Sequence, residues 1–187
     1  GQVLNILYYA KERTPNWEEL SAPEVADEIV TMMKAKASEI GIELKSEIDE
    51  DAGYFEADLQ AMRSMLLNLT ENSLDACRVD KNKEEHLVTF GLKGDENNVR
   101  FIIEDNGIGM DQETQERAFS LFFSSKGANG TGLGLFIADK ITRSHGGNIE
   151  LISEDGKGSI FTVVIPRKKQ KIGSGESEQQ EGGHDDR

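Results

Sequence analysis

Two glycine-rich loops set the strongest limit on what this chain can fold into. The first, Asp105-Asn106-Gly107-Ile108-Gly109, closes a β-rich run, and the second, Gly130-Thr131-Gly132-Leu133-Gly134, leads into an amphipathic helix. Between them lie a short charged segment and the phenylalanines Phe119, Phe122 and Phe123. Six of the 19 glycines fall between Glu104 and Leu135, and glycine is favoured where backbone takes positive φ or lies close against a ligand. Either loop alone is an ordinary turn signal. Their order carries the information, and it reads as a nucleotide pocket with a flexible cover.

Direct reading excludes the commoner phosphate loops. No G-x-x-x-x-G-K-[ST] occurs, and no G-x-G-x-x-G follows a strand. The H-R-D and D-F-G set of eukaryotic-type kinases is missing as well. With a formal net charge of -14 and a pI near 4.7, the chain is a poor partner for nucleic acid, which needs clustered Lys and Arg. A small anion such as ATP is still within reach of backbone N–H groups, a helix N-terminus and a metal ion. No apolar run reaches the ~18 residues of a membrane span, so membrane contact is not expected. The lone Cys77 cannot form an internal disulfide and no Cys/His spacing suggests zinc, which points to a reducing cytoplasm.

At 187 residues the length suits one main domain. Residues 1–13 place Val3, Leu4, Leu7 and Tyr8 at helical spacing, closed by Pro15, as the end of a longer helix would. Ser21-Ala22-Pro23-Glu24 is a capping box opening a helix with Val25, Ile29, Met32 or Met33, and Ile40 on its buried face, stopped by Gly41. Ile42, Leu44, Ser46 and Ile48 alternate as a strand.

The segment from about Asp58 to Arg78 carries two helical patterns at once. Leu59, Met62, Leu66, Leu69, Ser73 and Ala76 form a core stripe, while Asn68, Asn72 and Asp75 share another face. That polar row is either an exposed face or a set of side chains needing partners. Residues 87–104 read as a β-hairpin turning at Gly94 to Asn97. Asp111 to Ser120 reads as a short helix, Thr131 to His145 as a longer one ended by Gly146-Gly147, and Ile149 to Ile152 with Ser159 to Ile165 as a final hairpin. Residues 173–187 hold no hydrophobic side chain, so a disordered tail is expected from 167 to 187.

Taken together these motifs resemble the ATP-binding catalytic domain of bacterial sensor histidine kinases, in the GHKL superfamily. Asn68 to Ala76 resembles the N box and Asp105 to Gly109 the G1 box. Phe119 to Phe123 resembles the F box, Gly130 to Gly134 the G2 box, and Gly156 to Ser159 the last glycine turn. The likeness covers about residues 16–166. It implies a two-layer α/β sandwich of the Bergerat type, a mixed sheet with three helices on one face and an ATP lid. It also implies that residues 1–15 are the remnant of the dimerisation and phosphoacceptor helix.

By that resemblance Asn72 holds Mg²⁺ at the phosphates and Asn68 stands where related ATPases carry a glutamate base. An amide cannot accept a proton as a carboxylate does, so Asn68 suits transfer to a protein acceptor; Glu71 is off that face. Asp105 would accept from the adenine amino group, with Gly107 and Gly109 letting backbone approach the base and Asp75 and Ser159 near it. Gly130, Thr131, Gly132, Leu133, Gly134 and Leu135 would meet the phosphates, Lys126 in the lid would reach the γ-phosphate, and Phe119 would anchor the lid or belong to the core. The implied partners are ATP, the protein's own dimerisation domain and a response regulator. A GHKL conformational switch or a serine kinase of anti-sigma type are the alternatives. Of the histidines, His86 opens a strand, His145 ends a helix and His184 lies in the tail, so none reads as a phosphoacceptor.

Overall fold

A computed structural model describes residues 14–120 and 133–169. The expected helix over residues 1–13, the lid with Lys126, Gly130, Thr131 and Gly132, the phenylalanines Phe122 and Phe123, and the tail beyond Lys169 lie outside the described residues.

The body is a five-stranded sheet in the order β2-β4-β5-β7-β6. Its strands are β2 (Glu43–Ile48), β4 (Leu87–Gly94), β5 (Asn98–Asp105), β6 (Asn148–Glu154) and β7 (Gly158–Pro166). β2 runs parallel to β4 and every other pairing is antiparallel, so the sheet is mixed. Strand alternation decides which face is covered. Val88, Phe90 and Leu92 of β4, Val99, Phe101 and Ile103 of β5, and Phe161, Val163 and Ile165 of β7 are all at 0% exposure, whereas Lys93 and Glu104 on the other face are exposed. Three helices cover the apolar face: α1 (Ala22–Glu39), α2 (Leu59–Arg78) and α4 (Gly134–Ser144). The α/β sandwich expected from the sequence is the observed fold.

Local chemistry sets the helix ends. Ser21 Oγ caps α1 by accepting from the Glu24 amide at 3.4 Å, and Asp58 Oδ1 caps α2 by accepting from Ala61 N at 3.1 Å. Of the two candidate methionines Met33 is buried and Met32 is 48% exposed, because Met33 continues the Val25, Ile29 stripe by one further turn. The short helix α3 (Gln112–Arg117) is capped by Asp111, whose Oδ1 accepts from Thr114 N at 2.8 Å; it ends three residues before the expected Ser120.

One piece of the fold was not anticipated. β1 (Glu18–Ser21) and β3 (Tyr54–Ala57) pair antiparallel as a separate two-stranded sheet, with Leu20 opposite Phe55. Phe55 and Ala57 are buried beneath it. Among the described residues no helix is long and apolar enough to cross a membrane.

Candidate functional site

Three elements converge on one end of the sheet: the middle of α2, the turn after β5 and the start of α4. On α2, Asn68 is buried at 7% exposure, so the polar row is not simply a solvated face. Its Nδ2 finds no hydrogen-bond partner among the described residues. The first turn of α4 lies against it, since a Cβ built on Gly134 would be 3.8 Å from Asn68 Cβ. At that same helix start Leu133 is the N-cap and makes no side-chain cap bond. A helix start with no side-chain cap among the described residues, beside a buried amide donor, suits an anion.

Asp105 ends β5 at 4% exposure, directly opposite Ser159 on β7. Its Oδ1 accepts from the Gly107 amide at 2.9 Å, an Asx-type turn that fixes the carboxylate plane. The turn is pressed against α2, with Ile108 N donating to Ala76 O at 3.0 Å. A Cβ on Gly107 would collide with the Ala76 carbonyl and sit 2.7 Å from Cys77 N. Gly109 has φ +64, and a Cβ there would strike the Glu154 carbonyl, so both glycines are required by close approach. Behind them Ser153 Oγ contacts Ser159 Oγ at 2.7 Å and accepts from Met110 N at 2.9 Å. Cys77 is buried here; burial, then the nearby Asp105 charge, push its thiol up to about 12, leaving it an unreactive packing group.

Asn72 and Asp75 follow Asn68 one and two turns along α2, both partly buried. Asp75 also meets Arg78 Nη2 at 3.4 Å. Leu133 and Leu135 flank Gly134, Leu133 buried and Leu135 packed against the core. Phe119 meets Phe161 edge-on, with centroids 6.4 Å apart, which gives it a place in the core. Glu71 is turned away, paired with Lys36 of α1 at 3.3 Å. His86 is engaged by Asp80 at 2.8 Å, and His145 is 1% exposed, so neither is presented to solvent as an acceptor would be.

Sequence reading missed several residues that shape the turn. Asn106 holds Leu87 N through Oδ1 at 2.8 Å and Glu85 O through Nδ2 at 3.1 Å. Gln115 Nε2 donates to both Met110 O and Ser153 O at 2.9 Å. Lys83 reaches the Gly107 carbonyl at 3.2 Å. No spacing signalled them, because each acts on backbone distant in sequence.

As to metals, no group of three or more His, Cys, Asp or Glu that could cage an ion occurs among the described residues. On the polar row between Asn68 and Asp75, Asn72 offers an amide oxygen. That donor set fits Mg²⁺ held mainly by phosphates and water, the usual arrangement for this ion.

Comparison with known proteins agrees with the geometry. The family described as histidine kinase-, DNA gyrase B-, and HSP90-like ATPase matches residues 57–169. The chain belongs to this family. Within this family of ATPases its relatives include the signal transduction histidine-protein kinase AtoS of Escherichia coli K12, 27% identical over 88% of this chain and 26% of AtoS. The adaptive-response sensory kinase SasA of Prochlorococcus marinus is 31% identical over 82% of this chain and 43% of its own length. The chain thus spans about a quarter of AtoS and under half of SasA. Among solved structures, the nucleotide-free catalytic domain of histidine kinase ThkA is 28% identical with a TM-score of 0.70, covering 82% of this chain and 99% of that domain. ThkA in complex with the response regulator TrrA superposes with a TM-score of 0.74 at 27% identity, over 91% of this chain and 47% of ThkA.

Proposed function

We propose that this chain is the catalytic domain of a sensor histidine kinase, binding Mg-ATP and transferring the γ-phosphate to a histidine on the protein's own dimerisation domain. The observation that carries the reading is the meeting of the start of α4 with the buried Asn68 amide, neither of which has a side-chain partner among the described residues, midway along a helix whose C-terminal end is clamped to the Asp105 turn. A phosphate at that helix start and a purine at Asp105 would occupy the two ends of one site.

Each residue then has a role its chemistry permits. Asp105 accepts from the adenine amino group, with Gly107 and Gly109 allowing the ring close to backbone and Asp75 and Ser159 lining that end. Asn68 Nδ2–H donates to a phosphate oxygen. Asn72 offers an amide oxygen to Mg²⁺, which when bound neutralises charge developing on the phosphates. Gly130 to Leu135 would supply amides to the phosphates, and Lys126 would reach the γ-phosphate. Phosphoryl transfer asks for positioning and charge neutralisation more than covalent chemistry. A neutral imidazole already presents a lone pair near pH 7, so an amide at position 68 is sufficient where water as nucleophile would need a carboxylate. This favours transfer over the hydrolytic cycle of a conformational switch.

A response regulator is the downstream acceptor in this reading, and a reducing cytoplasm its compartment. The test is incubation with γ-labelled ATP. The chain alone should take up no acid-labile label, and adding the separately produced dimerisation module should place label on that module, with Asn72→Ala and Asp105→Asn each abolishing transfer. Stoichiometric label on the chain alone, or full transfer by both variants, refutes the proposal.

A further inference from the structure

The loop between α2 and β4 contains a charged cluster that the roles above leave unused. Asp80 is 6% exposed yet carries a carboxylate. Its Oδ2 meets Lys83 Nζ at 2.8 Å and His86 Nε2 at 2.8 Å, and its Oδ1 accepts from Asn82 N at 3.1 Å. The Lys83 and His86 hydrogen bonds hold the Asp80 carboxyl well below the usual carboxylate range. A buried, fully satisfied acid of this kind serves to fix something else.

What it fixes is Lys83. The ammonium has three protons and three partners: Asp80, the Gly107 carbonyl at 3.2 Å and the Gly156 carbonyl at 3.0 Å. Both carbonyls belong to the turns that build the Asp105 corner, and those turns are joined by Gly156 N donating to Ile108 O at 2.7 Å. Gly107 is therefore gripped from two sides. Its amide donates to the Asp105 carboxylate, and its carbonyl accepts from Lys83. A charged donor strengthens such a hydrogen bond, so this grip sets where Gly107, and hence the Asp105 carboxylate, points.

We propose that Lys83, oriented by Asp80 and His86, is a positioning residue for base selection, holding the Gly107 peptide so that the Asp105 carboxylate faces the exocyclic amino group of adenine. The inference rests on the reading that Asp105 meets adenine. A lysine that merely stabilised the fold would weaken every nucleotide alike. One that aims Asp105 affects only ligands carrying the amino group.

The experiment measures binding of ATP and of purine riboside 5′-triphosphate, which lacks that amino group, by calorimetry on the full chain. The expected result for Lys83→Met is a preference for ATP reduced by about tenfold, the order of one charge-assisted hydrogen bond, with purine riboside triphosphate bound as before. Asp80→Asn, which keeps the lysine but loosens it, should reduce the preference in the same direction and serves if Lys83→Met does not fold. Lys83→Arg, retaining a cationic donor, should restore part of it. An unchanged preference in both Lys83→Met and Asp80→Asn, or an equal loss for both nucleotides, overturns the inference. Asp105→Asn distinguishes the two levels: if it keeps the preference for ATP, the underlying reading of Asp105 fails instead.

Discussion

Replacing His145 with phenylalanine should cost stability that depends on pH in a defined direction. His145 caps the end of α4, where its Nε2 accepts from the Asp58 amide at 3.1 Å and its Nδ1 lies 2.8 Å from Ile141 O. Acceptance at Nε2 leaves the proton on Nδ1, so the neutral ring joins the end of α4 to the start of α2. Trp17 meets the ring edge-on at 5.1 Å. A phenylalanine keeps that contact but strands the Asp58 amide and loses the bond to Ile141, about 2 to 4 kcal/mol together. That is a large share of a total stability of roughly 5–15 kcal/mol. Burial lowers the His145 pKa from its ordinary 6.5, opposed by the Ile141 bond and the Asp58 charge. The unfolded chain therefore takes up the proton first as pH falls. The contribution of His145 is full above about pH 6.5 and declines as pH drops through the window from that value down to the lowered folded one. Urea denaturation of parent and His145→Phe at about pH 8 and about pH 5.5 should show the gap between them narrowing on the acid side. A gap that stays constant or widens, or a variant within about 0.5 kcal/mol of the parent at the higher pH, would refute the reasoning.

Two further substitutions separate close approach from surface chemistry. Gly107→Ala drives a methyl into the backbone of α2 at Ala76 and Cys77; it should cost about 1–3 kcal/mol as overpacking does and abolish ATP binding by calorimetry, and unimpaired binding would mean the turn has room to move. Glu71→Gln breaks only the half-exposed pair with Lys36, so denaturation should register under about 1 kcal/mol and the rate of label transfer should hold; a transfer rate lowered tenfold or more would make Glu71 the base that the geometry assigns to no residue.

How far the sequence could be read depended on the length over which a pattern repeats. α2 runs through 20 residues, long enough for its core stripe and its polar row to separate by face. Asp58 announced its start and Asp105 its partner turn. The long hairpin β4–β5 was legible for the same reason, with six inward side chains in strict alternation. β1 and β3 have four residues each, which offer too few inward positions to exceed chance. Met32 and Met33 could not be told apart because adjacent positions on a helix differ by less than the width of its buried face. The Asp80, Lys83 and His86 cluster was invisible for a different reason. Lys83 acts on carbonyls 24 and 73 residues away, and a backbone carbonyl carries no sequence identity to search for.

The two ends of the site differ in how complete they are. At the Asp105 end the carboxylate, the Gly107 peptide, Lys83 and Ser159 all sit within hydrogen-bonded networks of the protein itself. At the α4 end the Asn68 amide has no partner among the described residues and the helix start has no side-chain cap. An orphaned polar atom alone is weak ground for a ligand, since Ser64 and Ser73 on the same helix have unpartnered hydroxyls too. Asn68 differs in position, because Gly134 brings the first turn of α4 against it while a leucine there would fill the same space with no buried donor to satisfy. Leaving a buried donor unpaired costs about 1–3 kcal/mol, and a phosphate oxygen would remove that cost at the moment of binding. On the proposed assignment, base recognition is prebuilt, whereas phosphate recognition is completed by the ligand. On that assignment a nucleotide lacking its γ-phosphate would find the first end ready and leave the second less fully satisfied, an asymmetry that suits release of the product of the proposed transfer.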